Sequence, residues 1–519
     1  MNLEGVVKRK LFLDKNLQIL KNNPHAFPTT RLRAGAGFGR FVRMRMYFMS
    51  VGGTGMGNAA ILMRSLGHEV TGADQAVYPP MSEALAAAGI EPLPGYDAER
   101  LARLAPDVVV VGNVNTRGNP EVEWLLETRA VPMVSLPELL RTQVLRKRRN
   151  IVVCGTHGKT TTTSLCAHLL EAAGQGPGWF IGGVPLGLPG GAAAGREGGP
   201  FVIEGDEYDS AFFDKRSKFV HYTPDILVLN NLEFDHADIF RDLADIARSF
   251  SHVIRLVPRN GCILANGDDP ALAPLLDAPW TEVLRVGTGT GNDLRIAGYT
   301  EDAAGSRFTL EWRGRSRAEV RWPQWGLYNA RNAAMAALAA ARAAGCDDPG
   351  DFDLSAMERF GGVKRRQEVL FDDGSLALVS DFAHHPTAVA GTLEGLRARF
   401  SGREVVACFE ARSNTACRKV HEAAFAGAFA LADRIHFGGV YRAERYSDTD
   451  RIDFAAMAAR IGARAMAHGG NERLGEALVQ DLRGGSPRVV CFFSNGSFDG
   501  VINRALDLAR SRAEATANP

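Results

Sequence analysis

The chain has 519 residues, with 60 lysines and arginines against 59 aspartates and glutamates and a net charge of +1. That length exceeds what one hydrophobic core can organise and predicts about three domains, while the balanced charge excludes an overall electrostatic footprint for nucleic acid or membrane. No apolar run approaches the roughly 18 residues of a membrane span, no signal-peptide core is present, and seven cysteines without zinc-type spacing predict reduced thiols in a cytoplasm.

Residues 1–45 stand apart. Lys8, Arg9, Lys10, Lys15, Lys21, Arg31, Arg33, Arg40, Arg43 and Arg45 face only Glu4 and Asp14. The segment reads as a disordered extension, or as a start codon placed too early, since Met44, Met46 and Met49 precede the first strand. A basic arm touching anionic partners is the other reading.

Residues 46–149 open with a strand from Tyr47, a glycine turn at Gly53, Thr54, Gly55, Met56 and Gly57, a helix through Leu66, and a second strand ending at Asp74. This is the outline of a dinucleotide-binding unit, with the glycines under a diphosphate. The turn alone does not separate a dehydrogenase cofactor from a UDP-sugar. The valine run 108–111 ends in a polar turn bearing Asn113, Asn115 and Asn119, at the sheet edge where open α/β sheets bind ligands. These residues are equally at home in an ordinary turn.

Residues 150–362 begin with a buried strand running into Gly155, Thr156, His157, Gly158, Lys159, Thr160 and Thr161. Two glycines let backbone N–H groups converge, the following helix adds its positive end, Lys159 would meet the β- and γ-phosphates, and the Thr160 hydroxyl would meet Mg²⁺. A triphosphate site here makes a substrate nucleotide the better reading of the first glycine turn. The next strand delivers Glu204, Asp206, Glu207 and Asp209, carboxylates that repel one another unless a cation lies among them. The strand after it ends in Asp235, His236 and Asp238. Parallel strands align their ends, so His236 is expected near Glu204 and Lys159 as a further Mg²⁺ ligand. Asn266 closes another strand, a hairpin is expected around Gly314, and Asn329 and Asn332 share one face of an alanine-rich helix. Their amides suit an adenine edge, and a cap-and-core role suits them equally.

Residues 363–519 start at Val363-Lys364-Arg365-Arg366-Gln367-Glu368 and a hairpin at Asp373-Gly374. Strands then end in Asp381, Phe382, Ala383, His384 and His385, in Glu410, Ala411, Arg412, Ser413 and Asn414, and in Ser494. The strand–helix alternation predicts a third, mostly parallel sheet.

From Tyr47 onward these motifs resemble the Mur ligases, ATP-dependent amide-forming enzymes of peptidoglycan synthesis. The likeness rests on residues 155–161, Glu204 with Asp206, Asp235-His236 with Asp238, and Asn329 with Asn332. It implies an α/β protein of three domains: an N-terminal Rossmann-like UDP-sugar domain, a central P-loop ATPase-like mostly parallel sheet, and a C-terminal Rossmann-like domain that binds peptide. The stretches Tyr78-Pro79-Pro80-Met81-Ser82, 207–216, 363–368, 383–387 and 412–415 resemble members that join L-alanyl-γ-D-glutamyl-meso-diaminopimelate to UDP-N-acetylmuramate in peptidoglycan recycling. The alternatives are a ligase adding L-alanine alone to the same sugar nucleotide and a non-catalytic UDP-sugar-binding regulator.

The implied roles follow residue by residue. Lys159, Glu204, His236, Arg365 and Arg366 are expected at the reaction; residues 155–161, Asn266, Asn329, Asn332 and Asp381 at ATP; and Thr160, Glu204 and His236 at Mg²⁺. Residues 53–57, Asp74, Asn113, Asn115, Asn119, His384, Arg412 and Asn414 are expected at the substrates. Diaminopimelate carries a carboxylate and an ammonium at its far end, so Arg412 is the expected bidentate anchor. Two departures stand out: Tyr328 occupies a position where relatives commonly carry His, and no lysine between His236 and Arg259 is available for carbamylation. No nucleic-acid partner or membrane insertion is expected, and the protein is expected to be a monomer or weak homo-oligomer in the cytoplasm.

Overall fold

The computed structural model describes residues 43–483 and 486–517. The expected disorder of the basic extension falls largely outside them.

Three main sheets carry the architecture. The first is wholly parallel, in the order Leu93–Pro94, Glu69–Asp74, Arg45–Met49, Val108–Val111, Met133–Ser135. Helices cover both of its faces, which is why Val108–Val111 can be four consecutive buried valines instead of an alternating strand. Strand order reverses between Arg45–Met49 and Val108–Val111. The turns after Met49 and Val111 therefore splay apart into a crevice, the place where open α/β sheets receive ligands.

The second sheet has ten strands, ordered Arg315–Trp322, Gly305–Trp312, Leu294–Asp302, Glu282–Gly287, Cys262–Asn266, Ile226–Leu229, Asn150–Cys154, Phe201–Gly205, Gly178–Phe180, Ala192–Ala193. It is parallel from Gly178–Phe180 across to Leu294–Asp302 and antiparallel at both edges. The hairpin expected around Gly314 forms, paired from Trp312↔Arg315 back to Ser306↔Trp322. The strand Ala192–Ala193 and the small hairpin Asp209–Ala211 with Asp214–Ser217 carry no clear apolar signal in sequence, whereas Gly178–Phe180 lies in the short apolar run Trp179-Phe180-Ile181. On one face, the helices Lys159–Ala172 and Leu327–Ala343 share one core, where fully buried alanines of the second helix permit close approach.

The third sheet runs Glu368–Asp372, Leu376–Asp381, Arg488–Phe493, Glu404–Ala411, Arg434–Val440, Ala465–Ala467, parallel except at the first strand. A phenylalanine cluster of Phe409, Phe425, Phe429, Phe437 and Phe454 fills one side, with neighbouring ring centroids 4.9–6.5 Å apart.

One buried ion pair fixes the first sheet to its helices. Glu121, fully enclosed, accepts from the Tyr47 hydroxyl at 2.6 Å and the Asp97 backbone N–H at 3.0 Å and faces Arg100 at 3.5 Å. Glu121→Ala is expected to cost about 3–5 kcal/mol, because it strands a buried hydroxyl and an N–H and leaves the Arg100 guanidinium, still held by the Pro94 and Gly95 carbonyls, without its counter-charge. A urea-denaturation midpoint unchanged from the parent would contradict this.

Candidate active site

The phosphate loop is shaped as its sequence requires. The helix starts at Lys159 after Gly158, whose φ of 81° belongs to the left-handed region. A Cβ there would also lie 2.3 Å from Oδ1 of Asn332. Adjacent strands end level: Cys154 pairs with Gly205 on one side and Leu229 on the other. Their continuations bring the expected residues together.

Lys159 Nζ lies 2.7 Å from Glu207 Oε2 and donates to the Gly155 carbonyl at 2.7 Å. Burial alone would lower its pKa, but Glu207 and Asp206 hold it above the usual range, so the ammonium stays charged. The other Glu207 oxygen meets His236 Nε2 at 3.1 Å. Burial opposes charge on this imidazole too, yet Glu207 and Asp235 push its pKa up to about 9. Glu207 is thus the anion between Lys159 and His236, two residues expected at the reaction. Among four neighbouring acids, nothing in sequence marked it as the one facing them.

Thr160 and Glu204 form a separate pair, Oγ1 to Oε2 3.3 Å. Glu204 accepts from Gly182 N–H at 2.8 Å, and burial holds its carboxyl above the ordinary range. A carboxyl penalised by burial beside a hydroxyl oxygen is a donor set that suits Mg²⁺. His236 is engaged by Glu207 and makes no contact with this pair. Asp206 pairs with Lys218, and its charge is held strongly ionised against the cost of burial.

Of the two arginines, Arg366 reaches the loop, with Nη2 3.4 Å from Thr160 Oγ1. Arg365 is spent on the carbonyls of Ser494 and Gly496. Asp381 accepts from Gln367 and Ala383 N–H groups at 2.7 and 2.8 Å. The amide-bearing residues are also engaged within the protein. Asn266 donates to the Asn230 carbonyl, Asn329 to the Trp325 carbonyl, and Asn332 to Asn329 Oδ1 while packing on Gly158. Tyr328 takes a hydrogen bond of 2.7 Å from Gln367.

In the first domain a cavity of about 590 Å³ opens at the reversal point, lined by Gly53, Thr54, Gly55, Met56, Asp74, Asn113, Asn115 and Asn119 and reached by Ser210 and Lys218 of the second. Gly57 is not part of this lining. It faces the core, where a Cβ would lie 2.2 Å from Met81 Sδ. Asn115 and Asn119 have scaffolding duties, with Asn115 Oδ1 accepting from Ser50 and Asn119 capping the helix Pro120–Thr128. Asp74 accepts from Gly52 N–H at 2.8 Å.

In the third domain a cleft of about 870 Å³ is lined by Arg412, Tyr441, Asp448, Arg451, Arg473 and Asp499 among others. Arg412 stacks 4.2 Å over Tyr441, with Glu410 and Asp499 at 3.8 and 4.0 Å. Asn414 and His384 do not line the cleft. Asn414 donates to Asp238 at 2.8 Å, and His384 lies 3.6 Å from Asp235, both across the junction with the second domain.

Glu207→Gln keeps the shape but removes the anion that Lys159 and His236 share. It is expected to lower turnover, read as phosphate release from ATP, about 10–100-fold. A variant with full turnover and a native circular dichroism spectrum would remove Glu207 from the site.

Residues 45–148 match the catalytic domain of the Mur ligase family and residues 153–341 its middle domain. The UDP-N-acetylmuramate–L-alanyl-γ-D-glutamyl-meso-2,6-diaminoheptandioate ligase of Escherichia coli (strain K12) is 40% identical over 476 residues, 91% of this chain and 100% of that one. The crystal structure of a murein peptide ligase from Psychrobacter arcticus 273-4 is 34% identical, covers 90% of this chain and 98% of that one, and superposes with a TM-score of 0.68. A UDP-N-acetylmuramate–alanine ligase from Thermotoga maritima, 24% identical over 91% of this chain and all of its own, shares the fold with a TM-score of 0.73. With its phosphate loop, acidic strand ends and three α/β domains matched along nearly the whole length, the chain belongs to the Mur ligase family, ATP-dependent ligases that form amide bonds.

Proposed function

We propose that the protein joins the tripeptide L-alanyl-γ-D-glutamyl-meso-diaminopimelate to UDP-N-acetylmuramate at the expense of ATP, as the named function of its Escherichia coli relative implies. The observation that carries this reading over addition of L-alanine alone is the third-domain cleft. At about 870 Å³, with arginines 412, 451 and 473 interleaved with Asp448 and Asp499, it is large and of mixed charge. An alanine needs neither the volume nor the second set of charges. The ammonium and carboxylate at the far end of diaminopimelate use both.

Amide formation in water requires an activated carboxylate. In this reading a lactoyl carboxylate oxygen of the sugar nucleotide attacks the γ-phosphorus of ATP, and ADP leaves. The peptide amine then adds to the acyl-phosphate carbonyl carbon and loses a proton, and the tetrahedral intermediate expels inorganic phosphate. Lys159 and the N–H groups at the start of the helix Lys159–Ala172 would neutralise the transferring phosphoryl, with Arg366 beside Thr160 as the third-domain contribution. Thr160 and Glu204 would hold Mg²⁺, with His236 as a further ligand once Glu207 releases it. Bound there, the ion would offset charge on the β- and γ-oxygens. The first-domain cavity would take the UDP moiety, its diphosphate at the helix N-terminus beginning with Thr54.

Purified protein supplied with ATP, Mg²⁺ and UDP-N-acetylmuramate is expected to release phosphate and yield the amide with the tripeptide, and to turn over poorly with L-alanine. Turnover confined to L-alanine would overturn the reading. Arg412→Lys keeps the charge but loses the planar fork, so the tripeptide KM is expected to rise about tenfold or more while the ATP KM holds. Equal effects on both would move Arg412 to the nucleotide.

A further inference from the structure

Outside the residues expected to hold Mg²⁺, His157 of the phosphate loop, Glu233 beyond the strand Ile226–Leu229, and His385 capping the helix Pro386–Arg399 converge. One ligand atom from each lies within 4.8 Å of the others. Glu233 Oε2 is 3.3 Å from His157 Nε2 and 3.2 Å from His385 Nδ1. Ligands around an ion at about 2.0–2.1 Å in a tetrahedron stand roughly 3.3 Å apart, so both spacings match its edges.

Hydrogen bonding alone does not account for His385. Its Nδ1 accepts from Thr387 N–H at 3.4 Å, which directs a lone pair from a position already 3.2 Å from a Glu233 oxygen, acceptor against acceptor. The ring proton then sits on Nε2, which is buried and has no partner. Moving the proton to Nδ1 sets it against the Thr387 N–H and leaves Nε2 a bare lone pair. A cation between Nδ1 and the carboxylate removes the approach of acceptor to acceptor. Two imidazoles and one carboxylate suit a borderline transition ion, unlike the oxygen ligands that Mg²⁺ prefers.

We propose that His157, Glu233 and His385 bind a divalent ion of the zinc class, which clasps the third domain to the phosphate loop independently of nucleotide. The clasp would sit on a junction already held by polar contacts. Thr387 Oγ1 donates to Glu233 at 2.7 Å and Ala237 N–H to Thr415 at 3.0 Å. An ion that binds only when the domains are together favours their closed arrangement by mass action.

The test is titration of the metal-stripped full chain with Co²⁺, without nucleotide, following the visible absorption of a four-coordinate Co²⁺ site and its loss on adding Zn²⁺. One equivalent is expected, and Glu233→Gln and His385→Gln should each weaken binding about 100-fold, at least the loss seen when only a ligand's supporting partner is removed. His236→Gln should leave it unchanged. His385→Gln also disturbs a helix cap, so circular dichroism is recorded on each variant and Glu233→Gln decides if the other unfolds. Absence of a visible band, binding that survives Glu233→Gln, or binding lost in His236→Gln would each overturn the proposal.

Discussion

The site depends on strand register. Asn150–Cys154 is paired on both flanks by parallel strands that end at its own level, at Gly205 and Leu229. Parallel ladders point all their C-terminal turns to one edge, so a lysine from the first turn, acids from the second and a histidine from the third meet without any of them being near in sequence. The meeting is electrostatically closed. Lys159 and His236 share Glu207, and Lys218 takes Asp206. The charges on Lys159, His236, Glu207 and Asp206 would each be costly to bury alone, whereas together they stay ionised at neutral pH.

The passage from the second domain to the third carries unusual backbone. Arg365 and Gln367 have φ of 61° and 50°, values that cost a residue with a side chain about a kcal/mol or more and persist only when surroundings over-determine them. The surroundings do. Arg365 is held by Ser494 and Gly496, Gln367 N–H by Asp381, and the Gln367 amide by Tyr328. Between these two fixed neighbours, Arg366 lies over the Phe382 ring and reaches Thr160. The same network accounts for Tyr328: its hydroxyl reaches the Gln367 amide and so belongs to the linker's anchorage.

Much of this was legible in the chain because the signals were local. A buried strand, a glycine turn with lysine and a hydroxyl-rich helix start lie within fourteen consecutive residues, and acids at strand ends follow from the same alternation. What stayed hidden required the third dimension. Glu207 differs from Glu204 and Asp206 only in the way it faces after the strand ends. Asn115 and Asn119 look like ligand contacts in a polar turn, and their side chains prove committed to Ser50 and a helix cap, although both still border the cavity. Arg365 and Arg366 are chemically identical neighbours, and only the left-handed turn sends one inward to carbonyls and the other across to the loop. The hairpin Asp209–Ala211 with Asp214–Ser217 lacks alternation because charged residues sit in it, with Lys215 paired to Asp209 and Arg216 to Asp214.

The two domain junctions differ in kind, and the difference bears on which part can move. The first domain shares an apolar cluster with one face of the central sheet, running from Met46 and Phe48 through Leu139 and Leu145 to Ile203 and Leu229. Separating them would expose core. The third domain keeps its apolar clusters to itself, within residues 376–509. Near the phosphate loop it meets the second through hydrogen bonds and ion pairs such as Thr387 to Glu233, Asn414 to Asp238 and His421 to the Phe234 carbonyl, while Trp325 and Tyr328 of the second pack on Gly395 and Gly391 of the helix Pro386–Arg399. Water can replace such contacts one for one, at a net cost of about 1 kcal/mol each, whereas it cannot replace buried hydrocarbon. The weak seam therefore runs between the phosphate loop and the cleft of Arg412, the two places that a peptide amine and an activated carboxylate would have to bring together.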